Sequence, residues 1–215
     1  MKIAIAGGHG QIALLLTRAL AESGHQVRSL IRNPEHADEV RTAGAEPVVT
    51  DLEDTTATRL SEVLAGCDAV VFAAGAGPGS GIERKWTVDR DGAVLLAAGA
   101  QLAGAFRYVL VSSMGAGSPT PEMDEIFQVY LQAKGEAEDA VRDSALDWTI
   151  VRPGMLTDDP PTGGVRVGES VGRGPIPRAD VAAVLAATLE HDGTVGRTFE
   201  LISGETPIPE ALDAL

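Results

Sequence analysis

The chain has 215 residues, 44% of them apolar, and a formal net charge of −14. That length suits one domain with a full core, and no apolar run is long enough for a membrane span. The acidic balance argues against nucleic-acid backbones and anionic membranes as partners, because both need a basic face. An anionic ligand must then be held locally, at a helix N-terminus or by a specific arginine.

A single cysteine, Cys67, excludes an internal disulfide and a cysteine-based zinc cluster. The histidines His9, His25, His36 and His191 are dispersed without ligand spacing, so no metal is expected. Met1 runs directly into the first predicted strand, leaving no room for a signal peptide. The expected compartment is the cytoplasm and the expected partner a small-molecule substrate, for a monomer or small homo-oligomer.

In chain order, strands are expected at 2–6, 26–31, 46–49, 69–73, 106–111, 147–151 and 198–202. Helices are expected at 10–23, 34–43, 56–65, 83–104, 125–143 and 178–190, with a short one at 209–215. Apolar β-branched runs alternating with helix-favouring stretches imply βαβ units. The expected fold class is α/β, a doubly wound, mainly parallel sheet with helices on both faces, in one domain over 1–215. The stretch 158–174 is rich in Pro and Gly and lacks a core pattern; with its flanks, about 153–180, it is expected to be a loop region covering substrate.

The first strand runs straight into Gly7-Gly8-His9-Gly10-Gln11-Ile12-Ala13. Strand, glycine turn and helix is the geometry that holds a pyrophosphate on backbone N–H groups and the positive helix end. Gly7 permits the turn, Gly10 lets the backbone approach phosphate, Gln11 and Ile12 open the helix, and Ala13 is small enough for close packing. The spacing Gly7-x-x-Gly10-x-x-Ala13 departs from the strict dinucleotide fingerprint in its first interval. His9 lies inside the loop and is a further contact for the cofactor.

The second strand ends at Arg32-Asn33-Pro34. An NAD site usually places an acid there for the ribose 2′-hydroxyl; the nearest acid is Glu35, past the proline. Arg32 instead matches a 2′-phosphate in charge and fork geometry, which favours NADP(H) over NAD(H), against the alternative of an ordinary surface arginine. Arg28 is a weaker second candidate. Asp51-Leu52, after the third strand, suit an adenine amino group and ring face; a helix cap for Thr55-Thr56 is the equal alternative. Ala73, Ala74 and Gly75 leave room for ribose and phosphates at the fourth strand tip. The glycine-rich stretch 75–81 reads equally as a flap or as a flexible surface loop.

The fifth strand ends in Ser112-Ser113, and Tyr130-Leu-Gln-Ala-Lys134 follows on a helix. Residues i and i+4 share a helix face. An ammonium beside Tyr130 stabilises its phenolate and makes it a usable proton donor, with a serine at the strand tip to hold a carbonyl oxygen. Pro153 and Met155, at the end of the sixth strand, would pass the nicotinamide end of a cofactor.

Gly7-x-x-Gly10-x-x-Ala13, Asp51-Leu52, Ser112-Ser113, Tyr130-x-x-x-Lys134 and Arg152-Pro153-Gly154 together resemble the short-chain dehydrogenase/reductase superfamily over nearly the whole chain. The likeness is nearest to its small atypical members, the NmrA-like and biliverdin-reductase-B-like group, often described as epimerases or dehydratases. The resemblance implies Ser113 as the substrate-orienting serine and Tyr130 as the acid/base. It implies Lys134 as the residue that makes Tyr130 more acidic and holds the nicotinamide ribose. The family's active-site asparagine falls on Asp89, and an ionised carboxylate cannot donate in the usual proton relay. Three readings follow. One is an NADP(H)-dependent oxidoreductase acting on a small carbonyl or alcohol, or on a quinone- or flavin-like compound. The second is a dinucleotide-binding sensor without catalysis. The third is a sugar-nucleotide epimerase or dehydratase holding NAD, which Arg32 and the roughly 60 residues after Pro153 argue against.

Overall fold

A computed structural model describes residues 1–77 and 79–215. Its centre is β1 (Lys2–Ala6), whose last four residues are buried because both faces of the strand are covered. Around it lie β2 (Gln26–Ile31), β3 (Ala45–Val49), β4 (Ala69–Phe72), β5 (Arg107–Val111) and β6 (Asp147–Pro153), all paired in parallel. Strand order runs β3-β2-β1-β4-β5-β6, so the winding reverses between β1 and β4. At such a reversal the crossover helices diverge to opposite faces and leave a crevice at the carboxyl ends of the strands.

The helices α1 (Gln11–Glu22), α2 (Ala37–Thr42), α6 (Arg178–Glu190) and α7 (Ile208–Asp213) contribute to the core on one face; α3 (Ala57–Val63), α4 (Ala93–Ala103) and α5 (Glu125–Arg142) to that on the other. The small residues of α1 and α6 (Ala13, Ala182) are buried where the two helices meet. The expected doubly wound α/β domain is what forms. Among the described residues, no helix is long and apolar enough to cross a membrane.

Three features depart from the expected elements. The helix expected at 34–43 divides into a 3₁₀ turn, Pro34–His36, and α2. The helix expected at 83–104 is π-helical over Lys85–Gly92 before becoming α4. Finally, the stretch after β6 is not only loop. β7 (Met155–Thr157) pairs with β9 (Pro175–Pro177) in a separate ribbon, while β8 (Gly164–Gly168) joins the main sheet antiparallel to β10 (Arg197–Ser203) and β11 (Thr206–Pro207). β8 escapes detection because it is five residues flanked by glycines with an exposed arginine at its centre. β9 begins and ends on proline, which only short edge pairing tolerates.

Candidate functional site

Two contiguous clefts open along the carboxyl ends of β1, β2, β4 and β5. One, of about 340 Å³, is lined by the glycine turn, Arg32, Asp51 and Leu52. The other, of about 610 Å³, is lined by Gln11, Ile12, Asp89, Ser112, Ser113, Tyr130, Lys134 and Pro153. Gly10, Ala73, Ala74 and Gly75 belong to both, so one extended ligand can run from end to end.

The two glycines of the turn do different work. Gly7 has φ +76°, and a Cβ there would lie 2.5 Å from Ala74 Cα, so this glycine is required by the fold. Gly10 has φ −63°, which any residue adopts. Its Cβ would meet only Gly7 O at 3.2 Å and Ala73 O at 3.9 Å. What its missing side chain leaves is space in front of α1. No side chain caps α1, and no acid occupies its first turn, so its N–H groups and dipole are available to an anion. These residues fit a pyrophosphate. Gly10→Val is expected to leave circular dichroism unchanged and to lower dinucleotide affinity by more than tenfold; a folded variant with full affinity would remove the turn from the site.

At the far end, Arg32 lines the smaller cleft with its side chain 56% exposed. The expectation that no acid stands at this tip needs correction. Glu53, from the loop after β3, comes within 3.4 Å of Arg32, because β3 pairs in parallel with β2 and their tips are neighbours. Glu53 is mainly engaged elsewhere. It accepts from Arg84 Nη2 at 2.7 Å and Nε at 3.2 Å, and from Thr87 Oγ1 at 2.5 Å. The hydrogen bond from Arg84 holds its carboxyl below the usual carboxylate range. His9 stacks on His36 at 3.6 Å between ring centroids and bonds Glu39 at 2.7 Å. Asp51 is not a helix cap: its Oδ1 accepts from Glu53 N at 3.0 Å, while Thr56 caps α3 through Arg59 N.

At the other end, Lys134 is 3% exposed; its Nζ donates to Val111 O at 3.1 Å and lies 3.5 Å from Asp89 Oδ1. Asp89 Oδ2 accepts from Ala76 N at 3.2 Å, whereas Oδ1, also buried, has no hydrogen-bond partner among the described residues. The Tyr130 ring stands beside these groups, its centroid 6.0 Å from Lys134 Nζ and 5.8 Å from the Phe127 ring. The only other tyrosine, Tyr108, is fully buried and donates to Ala93 O; burial pushes its phenol far above the ordinary value. Of the paired serines, Ser112 donates to Glu138 at 2.5 Å, inside the protein. Ser113 makes only a 3.4 Å contact with Met114 O among the described residues, so its hydroxyl is available to a ligand.

A family model described as NAD(P)H-binding matches residues 7–192. The chain belongs to this NAD(P)H-binding family. Within it, the chain is of the atypical short-chain dehydrogenase/reductase type, as its motifs implied. It is 36% identical over its full length, and over the full length of the relative, to a Bacillus subtilis protein named as an uncharacterized sugar epimerase, YhfK. A structure from Bacillus halodurans, provisionally described as an NAD-dependent epimerase/dehydratase, superposes with TM-score 0.93 at 37% identity, covering all of both chains. The oxidoreductase ylbE of Lactococcus lactis superposes with TM-score 0.89 at 28% identity, covering 100% of this chain and 96% of the other.

Nearly every site residue singled out in the sequence lines one of the two clefts. Two do not reach the clefts. Met155 lines neither, and it is 68% exposed, because its N–H pairs with Gly174 O and the β7–β9 ribbon turns its side chain outward. Arg28 bonds Glu46 at 3.1 Å and the Val63 carbonyl, inside the sheet and away from the tip. The glycine-rich stretch 75–81 contains Pro78, which lies outside the described residues. Two residues without a motif stand at or beneath the larger cleft. Lys85 enters the larger cleft from the π-helical segment. Glu138 is wholly buried on α5 and ties that helix to the sheet.

Proposed function

We propose that this protein is an NADP(H)-dependent oxidoreductase acting on a small carbonyl or alcohol, or on a quinone- or flavin-like compound. The observation that carries the reading is the convergence of Tyr130, Lys134 and Ser113 on one cleft, next to the glycine turn. Bound there, the reduced nicotinamide supplies a hydride. Lys134 holds a ribose hydroxyl and stabilises negative charge on the Tyr130 oxygen. Ser113 donates a hydrogen bond to the substrate oxygen, and Tyr130 delivers the proton to that oxygen. Asp89, beside Lys134, receives a donor at its unbonded Oδ1 rather than relaying a proton. The segment 153–180, with β7 and β9, covers the substrate. The name of the Lactococcus relative, an oxidoreductase, supports this reading.

NADP(H) is favoured because Arg32 is exposed and Glu53 is already satisfied by Arg84 and Thr87. Arg32→Ala is expected to cost about 1.5 kcal/mol of NADP(H) affinity, the lower end for a hydrogen bond to a charged group because the site is solvent-exposed. NAD(H) affinity should stay the same. Titrating both cofactors against both proteins checks this, and equal losses would show that Arg32 does not read the phosphate. The function itself is tested by following NADPH oxidation with aldehydes, ketones, quinones and flavins. A relative named for epimerase activity makes the contrary outcome explicit: dinucleotide that copurifies, stays bound and is never consumed in proportion to product.

A further inference from the structure

The larger cleft carries a cation that the reductase chemistry does not use. Lys85 is 7% exposed, and its Nζ has one hydrogen bond among the described residues, donated to Gly77 O at 2.9 Å. A carbonyl is neutral, so the ammonium is buried without a counter-charge, an arrangement that folding disfavours unless a ligand completes it. The other charges of the cleft are matched: Lys134 faces Asp89 at 3.5 Å, and Arg178 pairs with Asp158 at 2.7 Å. Asp124 is occupied as the cap of α5 through Phe127 N. Among the described residues, Lys85 is therefore the one cation lining this cleft that has no carboxylate within salt-bridge distance. Lys85 Nζ lies 5.6 Å from the centroid of the Tyr130 ring. The adjoining wall is apolar, with Ile126, Phe127 and Leu156.

Building on the reductase reading, we infer that Lys85 is a specificity residue that receives an anionic group, a carboxylate or a phosphate, on the substrate. Its placement 5.6 Å from the centroid of the Tyr130 ring lets one substrate reach both the ammonium and the phenol. The apolar wall packs the carbon skeleton between them. Binding replaces the bond to Gly77 O or adds to it, since an ammonium has three donors.

The test separates binding from turnover. 4-Carboxybenzaldehyde, 4-formylphenyl phosphate and the neutral methyl 4-formylbenzoate are titrated calorimetrically into the protein, both NADP⁺-saturated and cofactor-free, while NADPH oxidation is followed in parallel. The expected result is that at least one anion binds tenfold or more tightly than the ester. Lys85→Met, which keeps the stem and removes the charge, should bring that anion down to the ester's affinity, and Lys85→Arg should retain most of the preference. Lys85→Gln replaces Lys85→Met if the latter does not fold. Three results would each overturn the inference: no ligand binding, anions and ester binding alike, or a preference that survives loss of the charge. A Lys85→Met defect confined to NADP⁺ affinity also overturns it, assigning the lysine to the cofactor's phosphates. Charge-dependent binding without NADPH oxidation keeps the anion site and removes the reductase reading.

Discussion

Tyr130→Phe should lower turnover of an aldehyde or ketone by about 10²–10⁴, the usual worth of a positioned general acid. NADP(H) affinity should not change, because the proposed mechanism gives the lost hydroxyl to the substrate and not to the cofactor. No neighbouring phenol can take over, since Tyr108 is fully buried with its hydroxyl bonded to Ala93 O. Lys134→Ala has a different signature. Its ammonium serves the Val111 carbonyl, Asp89 and the phenol together, so cofactor binding and turnover should fall in parallel. Steady-state kinetics with a carbonyl panel, alongside cofactor titration, distinguish the two variants. Flavins and quinones belong in the panel as contrast, because hydride transfer to such rings needs little proton donation. Full activity of Tyr130→Phe on an aldehyde would place the proton donor elsewhere.

The second large effect is on stability. Glu138 is wholly buried on α5, and its carboxylate accepts from Ser112, from Arg152 at 2.9 and 2.5 Å, and from Arg142 at 2.6 Å. The bond to Glu138 is the main reason the Arg152 guanidinium is held more firmly charged than usual. Glu138→Ala would leave two arginines and a serine facing a void. Breaking a buried ion pair from one side costs about 3–5 kcal/mol, and both guanidinium groups are partly exposed, which points to the lower figure. For a domain of this size that is a drop in melting midpoint of roughly 10 °C. Glu138→Gln should lose less, since the amide oxygen still accepts. Thermal melts check both, and a change under about 2 °C in the alanine variant would mean that water replaces the carboxylate without loss. Tyr130 and Lys134 ride on the same helix, so the alanine variant should lose activity before it melts.

The parallel half of the sheet was legible because buried central strands are written as continuous apolar runs, such as 3–6 and 70–72, and because each meets its helix through a glycine or a short polar tip. The nearness of Tyr130 to Lys134 was legible too, since residues i and i+4 share a helix face by spacing alone. What escaped was set by tertiary neighbours. β8 has only Val165 and Val167 alternating with Arg166, too short a pattern to read alone, and it exists because β10 offers it an edge. The approach of Glu53 to Arg32 spans 21 residues and follows only from the parallel register of β2 with β3. Lys85 belongs to no motif, and its burial at the cleft comes with the π-helical winding of its segment. Glu138 carried no motif at all, because nothing in a lone glutamate on a helix announces two arginines and a serine beneath it.

That winding has an evolutionary reading. A π-helical stretch holds an extra residue relative to the α-helix it interrupts, so the two sides of Lys85–Gly92 are out of phase by about one position. Loss of a single codon there would let the segment rewind in phase with α4, rotating Lys85 and Asp89 away from the cleft while α4 kept its packing under the sheet. Gain or loss of one residue is thus a route by which genes of this architecture could exchange what the cleft recognises without disturbing the scaffold.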